Sequence, residues 1–193
     1  MSARGVQPSG SDPAVGVVLA AGEGRRFGGP KQLARVGGRA LVEHAVAAVR
    51  GLDRVVVVLG ARAEEVRSGA DLGGTDVVVC PDWAEGMGAS LRHGLAAVRD
   101  AGEVVIVLAD QPFITPEVVA RVRAASGDAA RATYHGAPGH PVVIRRPVLA
   151  RAGELRGDRG FRDLLAGVTE VECADLADPA DIDTQQDLEV VRR

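Results

Sequence analysis

The sequence is nearly devoid of lysine. Of its 23 basic residues, 22 are arginine, and the single lysine is Lys31. Because arginine serves wherever any positive charge is sufficient, the retained ammonium group of Lys31 indicates a specific role. A compact ammonium makes point contacts with phosphate oxygens that a planar guanidinium does not match. The alternative is a solvated surface lysine without a function.

Cysteine and aromatic residues are also scarce. The two cysteines, Cys80 and Cys173, lack CxxC spacing, which argues against a zinc site and a disulfide framework and predicts two small buried side chains. Aromatic residues make up 3% of the chain, whereas 46% of the residues are hydrophobic and 25 are glycine. We therefore expect a core of Val, Leu, Ala and Ile in which backbones approach closely.

Long apolar runs and clusters of positive charge are missing. No run approaches the roughly 18 residues of a membrane-spanning helix, and the N-terminus lacks the apolar segment of a signal peptide. The formal net charge is -3 with dispersed basic residues, which argues against a nucleic-acid partner. These features predict a cytoplasmic protein that binds neither membrane nor nucleic acid. A disordered leader at 1–14, rich in Ser, Gly and Pro, is expected before one domain at 15–193.

The predicted fold class is a three-layer α/β/α sandwich with a Rossmann-like, mainly parallel sheet. Helix-length amphipathic stretches separate the strand-like runs VGVVLA, VVVVLG, TDVVVC and EVVIVLAD. These runs are continuously apolar, which indicates burial on both faces and therefore a parallel sheet between helices. After Asp128, the runs RATY and HPVVIRR are joined by HGAPG, which predicts an antiparallel excursion in the C-terminal third.

The first candidate site is the glycine-rich segment at residues 19–31, which follows the first strand. We call it the glycine loop. In open α/β sheets, ligands bind at the carboxyl ends of the strands. Glycines let backbone amides approach a phosphate chain, while Arg25, Arg26 and Lys31 supply positive charge. The alternative is a strand-to-helix connection with spare glycines.

The glycine loop matches neither of two familiar phosphate-binding patterns. A dinucleotide-binding fingerprint counted from Gly22 requires glycine at its sixth position, where this chain has Phe27. A P-loop requires glycine directly before the lysine and Ser or Thr after it, where this chain has Pro30 and Gln32. The sequence therefore predicts a phosphate-binding loop of another kind.

Carboxylates in two other segments are candidate metal ligands. Asp110 directly follows the predicted strand EVVIVLAD, where a carboxylate holds Mg²⁺ against nucleotide phosphates. Asp181 and Asp183 lie two residues apart near the C-terminus, and on an extended segment this spacing turns both to one face. Either of them is a candidate to share a metal with Asp110. The alternatives are an Asp that caps a turn and a cap for the last helix.

Two further regions are suited to ligands. The segment PDWAEGMGASLRHGL places Asp82, Gly86 and Ser90 where a loop enters a helix, so its amides and hydroxyl are available to a base or ribose. An ordinary helix N-cap at Ser90 is the alternative. Gly139 and His140, together with the GDRG segment at 157–160, are suited to a second ligand, although a histidine beside proline is more often structural.

The chain resembles the MobA-like nucleotidyltransferases, in which similar motifs occur in the same order. Within that family, it most closely resembles the molybdenum cofactor cytidylyltransferases. The resemblance spans about residues 15 to 190 and is carried by six segments: LAAGEGRRFGGPKQL, DWAEGMGASLRHGL, LADQP, GHPVVI, GDRGF and DIDTQQDL.

The resemblance implies transfer of a nucleoside monophosphate from an NTP to a phosphorylated cofactor acceptor, with release of pyrophosphate. It implies catalytic roles for Lys31, Arg26 and Asp110, with Mg²⁺ held by Asp110 and Asp183. The acceptor contacts are assigned to Gly139, His140 and Asp158. The implied nucleotide-binding residues are Leu19, Ala20, Ala21, Gly22, Glu23, Gly24, Lys31, Asp82, Gly86 and Ser90.

Departures from the family pattern bear on specificity. Ala20 and Ala21 resemble the cytidylyl branch, which favours CTP over GTP modestly. Phe27 replaces a common methionine, an exchange expected to leave the loop intact. Gln185 and Gln186 replace the usual Pro and Glu, which bears on the geometry of the last metal ligand.

Three functions stay open at this point. The first is a cytidylyltransferase acting on a molybdopterin-type cofactor, with a molybdoenzyme or its chaperone as a possible downstream partner. The second is the same chemistry on another acceptor, such as a guanylyltransferase or an enzyme that charges a sugar or polyol phosphate. The third is a regulatory module that binds a nucleotide or cofactor without transfer. A phosphate monoester is already anionic at neutral pH, so the transfer requires no general base.

Overall fold

The computed structural model describes residues 12–152, 165 and 167–192, so the predicted acceptor contact Asp158 lies outside the described residues. The strands are β1 (Ala14–Ala20), β2 (Arg35–Val36), β3 (Arg39–Ala40), β4 (Arg54–Leu59), β5 (Asp76–Val79), β6 (Glu103–Leu108), β7 (Ala129–Tyr134), β8 (Ala137–Arg145) and β9 (Thr169–Glu172). The helices are α1 (Leu41–Val49), α2 (Ala63–Gly69), α3 (Met87–Ala96), α4 (Pro116–Arg123), α5 (Arg146–Leu149) and α6 (Gln185–Val191).

The main sheet confirms the predicted fold class. Among the described residues it has seven strands in the order β5-β4-β1-β6-β8-β7-β9. Strands β5, β4, β1 and β6 are parallel, whereas β8 is antiparallel to both of its neighbours, β6 and β7. The runs RATY and HPVVIRR thus form the predicted antiparallel excursion. Strand β1 begins at Ala14, one residue before the expected domain start.

The core lies on both faces of the sheet because successive strand residues point to opposite sides. On one face, Val18 and Val57 pack in a cluster with α1, α2 and α4. On the other, Val17 and Val58 pack in a cluster with α3 and α5. Both cysteines are free and buried, as predicted. No helix in the described part of the chain is long and apolar enough to cross a membrane.

Helix α3 packs directly on the sheet at Gly94, which has no side chain. A Cβ atom at Gly94 would lie 2.9 Å from Cγ1 of Val17 and 2.9 Å from Cγ2 of Val58. This contact sets the depth of the helix whose first turns carry Ser90. The packing of α3 on β1 and β4 therefore sets the position of Ser90 at the edge of the sheet where the parallel strands end.

Replacement of Gly94 by alanine tests this packing. We expect Gly94→Ala to lower the free energy of unfolding by about 1–3 kcal/mol, because an extra methyl group overpacks the core. The matched control is Gly51→Ala, since a Cβ at Gly51 meets no atom within 4 Å. Its expected change is within about 0.5 kcal/mol. Equal stabilities of the two variants in urea titrations would contradict the close packing of Gly94 against β1 and β4.

Candidate functional site

A cavity of about 340 Å³ lies at the carboxyl ends of the central parallel strands. It is formed by the glycine loop after β1, by parts of the segment from Trp83 to Ser90, and by the end of β6. Of the predicted nucleotide-binding residues, Gly24 and Asp82 are not in its wall, and neither is Arg26. The predicted residues that do line it are Leu19, Ala20, Ala21, Gly22, Glu23, Lys31, Gly86, Ser90 and Asp110.

The ammonium group of Lys31 joins two carboxylates at one wall of this cavity. Its Nζ donates a hydrogen bond of 2.6 Å to Oδ2 of Asp110 and one of 2.7 Å to Oδ1 of Asp183. The side chains of Lys31 and Asp110 are only 16% and 21% exposed. Nη2 of Arg26, a mostly exposed side chain, donates to Oδ2 of Asp183 at 2.8 Å. Residues far apart in the chain thus form one charged cluster.

The pKa values in this cluster follow from burial and charge. Burial disfavours the charged form of Lys31, but the carboxylates of Asp110 and Asp183 outweigh it and raise its pKa. The hydrogen bond from Lys31 lowers the pKa of Asp183. Burial raises the pKa of Asp181, and the negative charges of Asp110 and Asp183 add to this effect. Lys31 therefore remains positive and Asp183 negative at neutral pH.

The C-terminal segment is tied to β6 through Asp110 and Ile182. The backbone N–H of Ile182 donates to the carbonyl oxygen of Asp110 at 2.9 Å, and the Ile182 side chain is fully buried beside Phe27 and Leu188. Asp181 accepts a hydrogen bond of 2.8 Å from Nε2 of Gln111. Asp183, rather than Asp181, consequently shares Lys31 with Asp110.

Gln32 holds the glycine loop, a role that sequence reasoning missed. Its buried Nε2 donates to the carbonyl oxygens of Ala20 at 2.8 Å and Gly22 at 2.6 Å. No pattern in the sequence indicated this contact. Gln32 was informative only because it occupies the position where a P-loop has Ser or Thr. Gln185, noted as a departure from the family pattern, donates through Nε2 to the carbonyl oxygen of Phe27 at 3.2 Å.

The conformation of the glycine loop depends on Gly24. Its φ of +71° lies in the left-handed region, and a Cβ there would overlap the carbonyl oxygen of Gly29. The N–H of Gly28 donates to the carbonyl oxygen of Gly24 at 2.9 Å, which closes the turn. Gly24 shapes the loop from outside the cavity wall.

The donor set at Asp110 fits a divalent cation that also binds phosphate. Oδ1 of Asp110 is buried and has no hydrogen-bond partner among the described residues. The same part of the chain contains no group of three or more His, Cys, Asp or Glu side chains arranged around a metal position. Mg²⁺ is typically held by one or two carboxylates together with substrate phosphate oxygens and water. Asp110 and Asp183, which both contact Lys31, are carboxylates of this kind.

The predicted residues Asp82, Gly139 and His140 do not line the cavity, and neither does the predicted metal ligand Asp183. The carboxylate of Asp82 is 3.4 Å from Nε2 of His93. Burial lowers the pKa of His140 to about 4, against the opposing effect of the negative charge of Asp110, so its imidazole is neutral at pH 7. Gly139 lies against the ring of Tyr134, whose hydroxyl donates to the carbonyl oxygen of His140 at 2.7 Å. His140 and Gly139 are therefore held rigidly on β8.

Comparisons with known proteins found a matching family model and similar proteins and structures. A model of the MobA-like NTP transferase domain matches residues 16–174. Nicotine blue oxidoreductase of Paenarthrobacter nicotinovorans is 36% identical over 90% of this chain and 93% of its own length. The crystal structure of Rv0371c from Mycobacterium tuberculosis H37Rv is 33% identical with a TM-score of 0.83, covering 95% of this chain and 98% of that one. A structure of Rv0371c in complex with manganese has 32% identity and a TM-score of 0.77, covering 93% of this chain and 98% of that one.

Substitution of Gly24 tests the loop. We expect Gly24→Ala to weaken binding of a nucleoside triphosphate about tenfold, because a left-handed conformation costs a non-glycine residue about 1–2 kcal/mol even before the overlap with Gly29. Gly29→Ala is the matched control, since a Cβ at Gly29 meets no atom within 4 Å. Isothermal titration calorimetry with CTP measures both affinities. Unchanged affinity in Gly24→Ala would show that the loop does not contact the nucleotide.

Proposed function

The chain belongs to the MobA-like NTP transferase family, and we propose that it is the nucleotidyltransferase that transfers CMP from CTP to the terminal phosphate of a molybdopterin-type cofactor. The observation that carries this proposal is the contact of Lys31 with Asp110 and Asp183 at the wall of the cavity. A fixed positive charge beside two carboxylates suits a triphosphate bound with a divalent cation.

The proposed reaction forms one bond and breaks one bond at the α-phosphorus of the NTP. A terminal phosphate oxygen of the acceptor attacks this phosphorus, and the bond to the bridging oxygen of the β-phosphate breaks, so pyrophosphate leaves. The second pKa of a phosphate monoester is about 6, so the attacking oxygen is already anionic and needs no base. The protein's task is to position two anions and to compensate their charge.

Lys31, Arg26 and the amides of the glycine loop carry out that task. The ammonium of Lys31 reaches phosphate oxygens from the cavity wall, and Arg26 approaches the same cluster through Asp183. Asp110 and Asp183 would hold Mg²⁺, which supplies further positive charge to the phosphate oxygens when bound. The buried, unpartnered Oδ1 of Asp110 supports this role. The manganese complex of Rv0371c supports a divalent metal.

The acceptor is proposed to lie beside β8. His140 lies close enough to Asp110 for the negative charge of that carboxylate to act on its pKa, and its neutral imidazole offers hydrogen-bonding nitrogens to a polar ring. Asp158 stays a prediction for the same site. CTP is preferred over GTP in this proposal because Ala20 and Ala21 line the cavity, as in the cytidylyl branch that the chain resembles.

A pyrophosphate-release assay tests the proposal. Purified protein is incubated with Mg²⁺, each NTP in turn, and a molybdopterin-type cofactor, a sugar phosphate or a polyol phosphate. We expect release with CTP and the molybdopterin-type cofactor and none without Mg²⁺. Release only with another acceptor would assign the chain to that chemistry. NTP binding without release in any combination would indicate a binding module.

The similarity to nicotine blue oxidoreductase favours a second candidate, an oxidoreductase. The glycine loop argues against a dinucleotide cofactor, since Phe27 occupies the sixth position of the fingerprint. Oxidation of NADH or NADPH by the purified protein, measured with dye substrates, separates the two candidates. A redox turnover without pyrophosphate release would replace the transferase proposal.

Replacement of Lys31 tests the proposed mechanism. We expect Lys31→Ala to reduce the rate of pyrophosphate release by about 10²- to 10³-fold, as for the loss of one preorganised donor in other enzymes. Lys31→Arg should remain impaired, because a planar guanidinium does not reproduce the point contact. Circular dichroism checks that both variants fold. Arg39→Ala, which removes an exposed cation on β3, is the control and should keep normal turnover. Normal turnover in Lys31→Ala would rule out the assignment.

A further inference from the structure

Three segments with different chemistry line the cavity: the glycine loop, the end of β6 and the segment from Trp83 to Ser90. Asp110 and Lys31 form a charged part of its wall beside β6. Trp83 follows β5 in the chain and lines another part of the wall. The charged part suits the triphosphate, and the part with Trp83 is left for the base.

Trp83 is held in the cavity wall by a close backbone approach. Gly60 follows β4, and a Cβ there would lie 2.5 Å from Cβ of Trp83 and 2.7 Å from the carbonyl oxygen of Ala21. Trp83 therefore packs directly against the backbone where β4 and the glycine loop meet. Its partly buried side chain also contacts the core cluster of α3, so its position is set by the fold.

Two apolar residues of the same segment line the cavity together with Trp83. Ala84 and Met87 lie in the same wall, and Met87 is 53% exposed. An aromatic ring in a half-open apolar wall offers a π-face to a flat ligand, and nucleobases stack on such rings with little dependence on the base.

We propose that Trp83 is a nucleotide-binding residue on which the base of the NTP stacks while the triphosphate lies at Lys31 and Asp110. The proposal rests on the proposed function for its ligand, a nucleoside triphosphate. It adds Trp83 as a base-binding residue to a segment in which the family resemblance already implies nucleotide contacts at Asp82, Gly86 and Ser90. Trp83 supplies affinity for the base, whereas Lys31 supplies affinity for the phosphates.

Trp83 is the only tryptophan in the chain, so its fluorescence reports on its own surroundings. We expect CTP to quench this fluorescence in a saturable manner. Inorganic tripolyphosphate, which lacks a base, should compete with CTP and reverse the quenching without causing any itself. Free N-acetyltryptophanamide, titrated in parallel, corrects for light absorbed by the nucleotide.

Two variants separate stacking from structural support. By calorimetry, Trp83→Leu should bind CTP about tenfold more weakly because it keeps the apolar volume but loses the π-face. Trp83→Phe, which keeps an aromatic face, should bind CTP with an affinity within about threefold of that of the unsubstituted protein. Both variants should bind tripolyphosphate normally. A loss of tripolyphosphate binding equal to the loss of CTP binding would show that Trp83 only supports the fold of the site.

The outcomes also separate this proposal from the proposed function. Binding of CTP without quenching, together with unchanged affinity in Trp83→Leu, would overturn the stacking role and leave the transferase activity intact. Absence of any nucleotide binding to the unchanged protein would overturn both. Quenching by CTP without pyrophosphate release with any acceptor would support the stacking role and contradict the transferase. If Trp83→Leu does not fold, the quenching experiment and Trp83→Phe decide the outcome.

Discussion

The contact of one ammonium group with two carboxylates organises the site. Asp110 and Asp183 come from opposite parts of the chain, and their negative charges would repel each other in a partly buried place without the Nζ of Lys31 between them. Burial increases the cost of each charge, so loss of any one of the three groups would leave its partners with less compensation. The position of Lys31 therefore links the loop after β1, the end of β6 and the segment before α6. Under the proposed function, a ligand that carries phosphates and a cation would meet charges that the fold has already arranged.

Several contacts with no chemical role keep this arrangement in place. The buried Ile182 fixes the C-terminal segment against Phe27, and its backbone N–H joins that segment to Asp110. Gln32 holds two carbonyl groups of the glycine loop, directly after the residue that carries the charge. Such side-chain bonds to the backbone restrict a loop that glycines would otherwise leave free. These contacts together fix the positions of the glycine loop and of the C-terminal segment at the candidate site.

The fold was predictable because its signal is local. Runs such as the valines of β4 are apolar at every position, and this pattern indicates a strand buried on both faces. The HGAPG segment likewise indicates the turn between β7 and β8, where Gly136 has a φ of +78°. The candidate site was predictable only in outline, because the carboxyl ends of parallel strands share one edge. The role of Gln32 was not predictable, since no pattern indicates that a polar residue beside Lys31 will be buried and paired with Ala20 and Gly22.

The sequence by itself determined which residue types are available and on which elements they lie: a single lysine after a glycine-rich loop, an aspartate at the end of a strand, and two aspartates near the C-terminus. It also left Asp181 and Asp183 as equal candidates, because their spacing places both on one face of an extended segment. Only the tertiary structure shows which of them contacts Lys31, because Asp181 accepts a hydrogen bond from Gln111 and Asp183 accepts one from Lys31. The physical reason is that hydrogen bonds between residues distant in the chain depend on positions in space, and the packing of Ile182 sets those positions.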